Sequence, residues 1–501
     1  MSNYIKSETD RFVFLINNID GSSDIINKDK FPDKSELLRE IDKKIQLFTD
    51  SKPPIIDEFK HSNLKVIYIS VHTSTSCNLN CKYCFRDKNA RIENLGFQDV
   101  KKFIDYMIQL YPNAEKYIVD PTGSAEPLLN LPLVLEIGRY CKLKSDEVSK
   151  EVLPMLVTNG VNLTEEIVRQ LREAGILFGV SIDGNKSQHN YNRIDYNEKG
   201  SYNSILKNVK NIKNRDLLGA AVTLNYANRD IVKALKFLVK FFPAISIKPV
   251  RSTLKDGINE SNIDEIMNQY DRLYNFLLGK TLVGELYYIS AILNGDDYFG
   301  KFLTRVIVDL RVSTRCDAGF SRASLDAEKN IYVCPAAIGI QDLIIGTLEE
   351  GIDINKQKEI YNLLTSRKNC NNCEAKYVCG GECLVNAYYT RKSVYEKDDT
   401  MCKLKKHIFK LCLLFKAELF SRNIEIFKVV HRGCLQKIAR FSEDKELKET
   451  LKLLEGRMKF TELKKIKDER YNEYLDLRRD LLFGLKKLPK IISKEGENYE
   501  N

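Results

Sequence analysis

From residue 64 onward, short runs of apolar and β-branched residues alternate with longer stretches whose apolar positions recur at helical spacing. Leu64-Lys65-Val66-Ile67-Tyr68-Ile69-Ser70 reads as a first strand. Tyr117-Ile118-Val119, Leu153 to Val157, Phe178-Gly179-Val180-Ser181, Ala220 to Leu224 and Ile245 to Val250 read as five more. Phe97 to Leu110, Glu165 to Ala174 and Ser204 to Ile212 fill intervals between them as helices. This alternation predicts an α/β fold, a partial (β/α)6 TIM-like barrel over residues 61–255. In such barrels the working residues gather at the C-terminal ends of the strands.

The flanking patterns differ. Arg11 to Asn18 and Asp24-Ile25-Ile26 read as a small hairpin around the turn Asp20-Gly21-Ser22-Ser23. After Pro32, Leu37, Leu38, Ile41, Ile45 and Leu47 fall on one face of a helix that Asp33 or Ser35 can cap. Residues 1–60 are therefore expected to form a small α+β module ended by the stiff pair Pro53-Pro54. It either packs on the barrel or holds part of a peptide. A helical bridge is expected over 256–315, a cysteine-rich domain over 316–405 and a helical C-terminal extension over 406–501. In the extension Ile408, Leu411, Leu414, Phe415 and Leu419 keep helical spacing, and Pro489 marks an end.

Composition narrows the class. At 501 residues with 43% hydrophobic content, the chain suggests several packed domains. No apolar run approaches the roughly 20 residues that cross a bilayer, and the polar start Met1-Ser2-Asn3-Tyr4-Ile5-Lys6 lacks a secretory core. A cytoplasmic protein without a membrane partner is expected. The net charge of +10 comes from 79 basic and 69 acidic side chains and is thinly spread. No aromatic-basic stacking motif accompanies it, so nucleic acid is not expected as a partner.

The cysteines bring in chemistry. Thirteen in a reducing compartment point to metal rather than disulfides, since ten fall into ordered groups. Cys141, Cys412 and Cys434 sit in helix-like stretches and read as buried apolar residues. Cys77, Cys81 and Cys84 share one loop directly after the first strand, supplying three thiolates and no fourth. A closed zinc site wants four ligands, whereas an iron-sulfur cube held by three thiolates keeps one iron open. Downstream lie Cys316, Cys334, Cys370, Cys373, Cys379, Cys383 and Cys402. Seven thiolates exceed one site, although a single four-cysteine zinc knuckle is an alternative for Cys370 to Cys383.

The Cys77-x3-Cys81-x2-Cys84 spacing with Tyr83 before the last cysteine is one of several matching motifs. With Gly123-Ser124-Ala125-Glu126, Thr158-Asn159-Gly160, and Ser181-Ile182-Asp183-Gly184 followed by His189 and Arg193, it resembles the radical S-adenosylmethionine (SAM) barrel in its peptide-modifying branch. The resemblance spans residues 64 to about 250. It implies a catalytic 4Fe-4S cluster on Cys77, Cys81 and Cys84 that binds SAM. Ser124, Ala125 and Glu126 would receive the methionyl amino group, Arg193 the carboxylate, Asn159 and Ser181 the ribose region, and Tyr83 would lie near the adenine. The family pattern has two glycines where this chain has Ser124-Ala125.

The downstream cysteines resemble the SPASM domain, the auxiliary-cluster module of many radical SAM peptide maturases. That resemblance assigns Cys370, Cys373, Cys379 and Cys402 to an outer 4Fe-4S cluster and Cys316, Cys334 and Cys383 to an inner one, three clusters in all. A further cysteine six residues before Cys316 completes the inner site in the fully liganded pattern; here that place is Leu310, so an open inner iron is expected. Lys329 stands where the pattern has a glycine. The implied activity is an oxidoreductase that matures a ribosomally made, cysteine-rich precursor peptide by thioether formation. A low-potential donor such as flavodoxin or ferredoxin is the implied electron partner. Sulfatase maturation ranks second, because the residue after Cys334 is Pro335 where that group has an aspartate. A non-enzymatic electron carrier or zinc scaffold would explain the cysteines but not the barrel loops or Arg193.

Overall fold

The computed structural model describes residues 4–46, 64–84, 93–123, 125–250, 256–295, 297–312, 314–365, 370 and 372–440. Ser124, the Pro53-Pro54 pair and the expected extension beyond Arg440 lie outside the described residues.

The N-terminal module is a three-stranded antiparallel sheet, β1 (Tyr4–Glu8), β2 (Phe12–Asn17) and β3 (Ser23–Asn27), followed by α1 (Lys34–Gln46). The expected hairpin is present, but β1 pairs along β2 with Tyr4 opposite Asn17. Every residue of β2 is buried because both its faces are covered. Val13 and Leu15 pack with Ile26 and Ile41, while Phe12, Phe14 and Ile16 join the main core.

Six parallel strands follow in chain order: β4 (Val66–Val71), β5 (Lys116–Asp120), β6 (Glu151–Thr158), β7 (Leu177–Ser181), β8 (Gly219–Leu224) and β9 (Ala244–Pro249). Between them run α2 (Phe97–Leu110), α3 (Leu131–Val148), α4 (Glu165–Glu173), α5 (Lys186–Asn192), α6 (Tyr202–Asn211) and α7 (Ile231–Leu238). Alternation sets the two faces of the sheet. Ile67, Ile69 and Val71 pack outward with Val100, Phe103, Ile104 and Met107 of α2, leaving Tyr68 and Ser70 on the opposite, inner face.

The sheet continues past β4. After the bridge helices α8 (Ile263–Leu282), α9 (Tyr287–Asn294) and α10 (Tyr298–Ile307) comes β10 (Arg322–Leu325), which pairs parallel with β4, Arg322 opposite Tyr68 and Leu325 opposite Val71. Then β11 (Asn330–Tyr332), β12 (Ile344–Thr347) and β13 (Gly351–Ile352) extend it antiparallel to ten strands. The cysteine-rich region is thus fastened to the barrel edge by its own strands. The β10–β11 turn places Lys329 at φ +68, the backbone a glycine adopts freely, with its ammonium 3.1 Å from Asp99.

The remaining helices are α11 (Ile354–Thr365), α12 (Lys376–Cys379), α13 (Leu384–Arg391), α14 (Asp399–Arg422) and α15 (Ile424–Arg440). The boundary expected at 405/406 falls inside α14, so Cys402 stands on the first helix of the extension itself. Cys141, Cys412 and Cys434 are buried in helices. No described helix is long and apolar enough to cross a membrane.

Candidate active site

The loop after β4 is clamped from three sides. Asn80 N–H donates to Ile194 O at 2.7 Å and Lys82 N–H to Asn192 O at 2.9 Å, tying it to the end of α5. Glu126 N–H donates to Ser76 O at 3.0 Å, and Asn159 Nδ2 donates to Asn78 Oδ1 at 2.6 Å. Cys81 is buried, while Cys77 and Cys84 are part-exposed. Asn159 Nδ2 lies 3.9 Å from Cys77 Sγ and Leu79 N–H 3.5 Å, donors suited to a thiolate. Burial pushes the Cys81 thiol up to about 12, opposed by the Arg193 charge.

Glu126 faces inward and is 2% exposed. It accepts from Thr158 Oγ1 at 2.6 Å, Asn159 N–H at 2.7 Å and Leu128 N–H at 3.2 Å, while burial pushes its carboxyl above the usual range. It joins the turn after β5 to the turn after β6. Ala125 is the described residue beside it in that loop, and Gly123 is held at φ +58 against His72.

Sequence reasoning singled out Ser181 at the end of β7; the organising residue of that turn is Asp183. Its Oδ2 accepts from Tyr83 Oη at 2.6 Å and from Arg193 Nε at 3.0 Å, and its Oδ1 from Thr223 N–H at 3.0 Å. The Arg193 guanidinium lies 5.4 Å from the Tyr83 ring centroid. Behind it, Asp183 N–H donates to His189 Nδ1, His189 Nε2 meets Ser201 Oγ at 2.9 Å, and Ser201 Oγ donates to Arg193 O at 2.9 Å. Burial holds His189 down to about 4, so the ring is neutral and this chain fixes its tautomer with the proton on Nε2. An Asp-Gly turn with an Arg ten residues on is the signal that marks this set in the sequence. Cys77, Cys81, Cys84, Tyr83, Asn159, Glu126 and Arg193 therefore form one connected assembly at the strand ends, with Ser181 part-exposed at its edge.

The second cysteine set uses short turns. Cys373 N–H donates to Cys370 O and Cys379 N–H to Ala375 O, and Cys383 caps the N-terminus of α13. Burial pushes the Cys402 thiol up to about 12, against the Lys405 charge. Cys316 and Cys334 pack at the edge of the β10–β13 core, and Leu310 packs among apolar residues. Among the described residues no group of three or more His, Cys, Asp and Glu stands close enough to hold a metal ion. The fit to an iron-sulfur group rests on the donor set at Cys77 to Cys84, soft thiols with amide donors and the buried Arg193 cation beside them.

The sequence pattern of the radical SAM superfamily matches residues 71–238. Those residues are a radical SAM domain. A cysteine-type anaerobic sulfatase-maturating enzyme of Clostridium novyi is 24% identical over 335 residues, 62% of this chain and 86% of the relative. The radical SAM cyclopropyl synthase TigE of Paramaledivibacter caminithermalis is 23% identical over 430 residues, 80% of this chain and 85% of the relative. Among solved structures, native anSMEcpe with bound AdoMet and Cp18Cys peptide superposes with a TM-score of 0.58 at 18% identity. It covers 72% of this chain and 99% of that one, a likeness of fold. A radical SAM domain takes SAM and a 4Fe-4S cluster, and the loop of Cys77, Cys81 and Cys84 has the donors for that cluster.

Proposed function

We propose that this chain is a radical SAM maturase of a ribosomally made precursor peptide, joining a peptide cysteine to a carbon of another residue through a thioether. Cys77, Cys81 and Cys84 would hold the catalytic cluster. Ser124, Ala125 and Glu126 would receive the SAM amino group, Arg193 the carboxylate, Asn159 and Ser181 the ribose, with Tyr83 toward the adenine. Cys370, Cys373, Cys379 and Cys402 would hold an outer auxiliary cluster and Cys316, Cys334 and Cys383 an inner one that takes the substrate thiolate. Bound to the reduced cluster, SAM would supply a deoxyadenosyl radical that takes one hydrogen atom from unactivated carbon; as the carbon–sulfur bond forms, the thiol proton would leave to solvent and an auxiliary cluster would accept the remaining electron.

The observation that supports this most is the pairing of β10 with β4. Cys77 follows β4, whereas Cys316 precedes β10 and Cys334 follows the antiparallel β11, so the two cysteine sets stand at opposite ends of one strand pair. The inner face of the barrel lies between them, where Tyr68 and Arg322 meet at 4.1 Å and Asp120 lies beside Ser70. A peptide there is held near the radical and away from water, as the chemistry requires. The N-terminal module would hold the leader, and a flavodoxin or ferredoxin would supply electrons.

Sulfatase maturation is the second reading, favoured by the Clostridium novyi relative and disfavoured by Pro335 after Cys334. Anaerobically reconstituted protein with SAM, reductant and the precursor peptide is expected to remove about 2 Da per crosslink. Tandem mass spectrometry should then find the link at a cysteine. A hydrazide-reactive aldehyde on a sulfatase peptide instead would replace this reading with the second.

A further inference from the structure

Between Cys379 and Cys383 the chain carries one charged residue, Glu382, and the fold buries it. Its Oε2 accepts from Lys405 Nζ at 2.6 Å and its Oε1 from Cys383 N–H at 2.7 Å. Both side chains of the pair are 2% exposed. Lys405 follows Cys402 by one turn on α14, and Cys402 Sγ lies 4.0 Å from Glu382 Oε2. Arg315, immediately before Cys316, donates Nη1 to Tyr298 Oη at 2.5 Å, and its guanidinium lies 5.0 Å from that ring's centroid. The Glu382–Lys405 pair thus lies against Cys383 and Cys402, and the Arg315 backbone packs on Gly380, two residues before Glu382, where an added Cβ would stand 2.5 Å from Arg315 N.

Stability does not explain the arrangement. Removing a carboxylate and an ammonium from water is costly, and apolar residues of the same shape hold such a position at least as well. Lys405 Nζ and Glu382 Oε2, 2.6 Å apart and both 2% exposed, form a close ion pair out of reach of water. With Arg315 the trio carries a net positive charge. Thiolate-held iron-sulfur centres are anionic and gain further negative charge on reduction, which fixed cations in a low dielectric favour.

We propose that Arg315, Glu382 and Lys405 form a charge bridge between the two auxiliary centres, in which the two cations raise both reduction potentials and Glu382 holds them in place. This rests on the reading of the seven cysteines as two iron-sulfur centres. The three are positioning residues. Because Glu382 adds a negative charge of its own, losing Lys405 and losing the Glu382 charge act in opposite directions.

The test is a redox titration of the full-length protein, reconstituted anaerobically with iron and sulfide and followed by electron paramagnetic resonance. Lys405→Met is expected to lower both auxiliary potentials, cutting the reduced-to-oxidised ratio at fixed solution potential about tenfold, or 59 mV for one electron. Lys405→Arg should stay near wild type, Glu382→Gln should raise both, and the Cys77 centre should not move. If Lys405→Met fails to take up iron, Glu382→Gln carries the readout. Unmoved potentials, equal movement of the Cys77 centre, or loss of auxiliary iron from Glu382→Gln as well would overturn the charge bridge. Wild-type protein with iron for the Cys77 centre alone would instead overturn the two-centre reading.

Discussion

Asp183 accepts from Tyr83, Arg193 and Thr223 at once, and its side chain is fully buried beside that of Arg193, 9% exposed. Asp183→Asn removes the carboxylate that pairs with that guanidinium at 3.0 Å and leaves a buried cation uncompensated. We expect a loss of about 3 kcal/mol in denaturant melts together with weaker SAM binding by equilibrium dialysis; unchanged SAM affinity would mean that Asp183 serves the fold alone. The cysteines of this site could be read from the sequence because their spacing is local. Asp183 could not be ranked above Ser181, because Tyr83 and Thr223 reach it from the loop after β4 and from β8, both distant in the chain. Asp297 gives a second prediction at this scale. It caps α10 through Gly300 N–H at 2.7 Å and accepts from Ile247 N–H at 3.0 Å, and burial pushes its carboxyl from 3.8 up to about 6. A folded-state value above the unfolded one stabilises fully below pH 3.8 and loses that contribution as pH rises through about 6. The loss amounts to about 3 kcal/mol. Asp297→Asn should flatten the pH dependence of unfolding free energy across this window, and parallel profiles for the two proteins would count against it.

At the scale of elements, Gly380 joins the two auxiliary cysteine groups. It ends α12 at φ +70, and an added Cβ would stand 2.4 Å from the Thr314 carbonyl and 2.5 Å from Arg315 N. The turn carrying Cys379 and Cys383 therefore rests on the backbone just before Cys316. Gly380→Ala adds a left-handed penalty of about 1–2 kcal/mol to that clash. Iron content should fall toward that of the Cys77 cluster while SAM cleavage persists; full iron retention would show that the two segments can separate without harm. The long amphipathic helices and the six barrel strands were readable because each carries its own periodicity. β10 to β13 were not, since strands of two to four residues hold too few alternations to declare a face, and their place in the sheet depends on β4. β1 escaped for a related reason: the polar run Tyr4-Ile5-Lys6-Ser7-Glu8 becomes a strand only through β2.

Across the whole molecule, the N-terminal module bears on the cysteine-rich region and on α14. Arg11 pairs with Glu418 of α14 at 2.7 Å, Tyr377 Oη donates to Ile19 O at 2.7 Å, and Arg311 lies 3.9 Å from Asp20. Tyr377 stands between Cys373 and Cys379, and Val312 N–H donates to its carbonyl at 2.8 Å, so the turn after β2 touches the segment proposed to hold the outer cluster. Gly21 makes this contact possible: at φ +73 its hydrogen faces the Tyr377 ring, where a Cβ would lie 2.4 Å away. If the module holds a leader peptide, this contact would carry the binding event toward the auxiliary centres. Gly21→Ala is therefore expected to raise amide hydrogen exchange across residues 4–46 while leaving the barrel strands protected, and to change the resonance of the outer centre. Exchange that stays at the wild-type level in β1 to β3 would show that Arg11 and the apolar face of β2 hold the module without the turn, and that the Tyr377 contact transmits nothing.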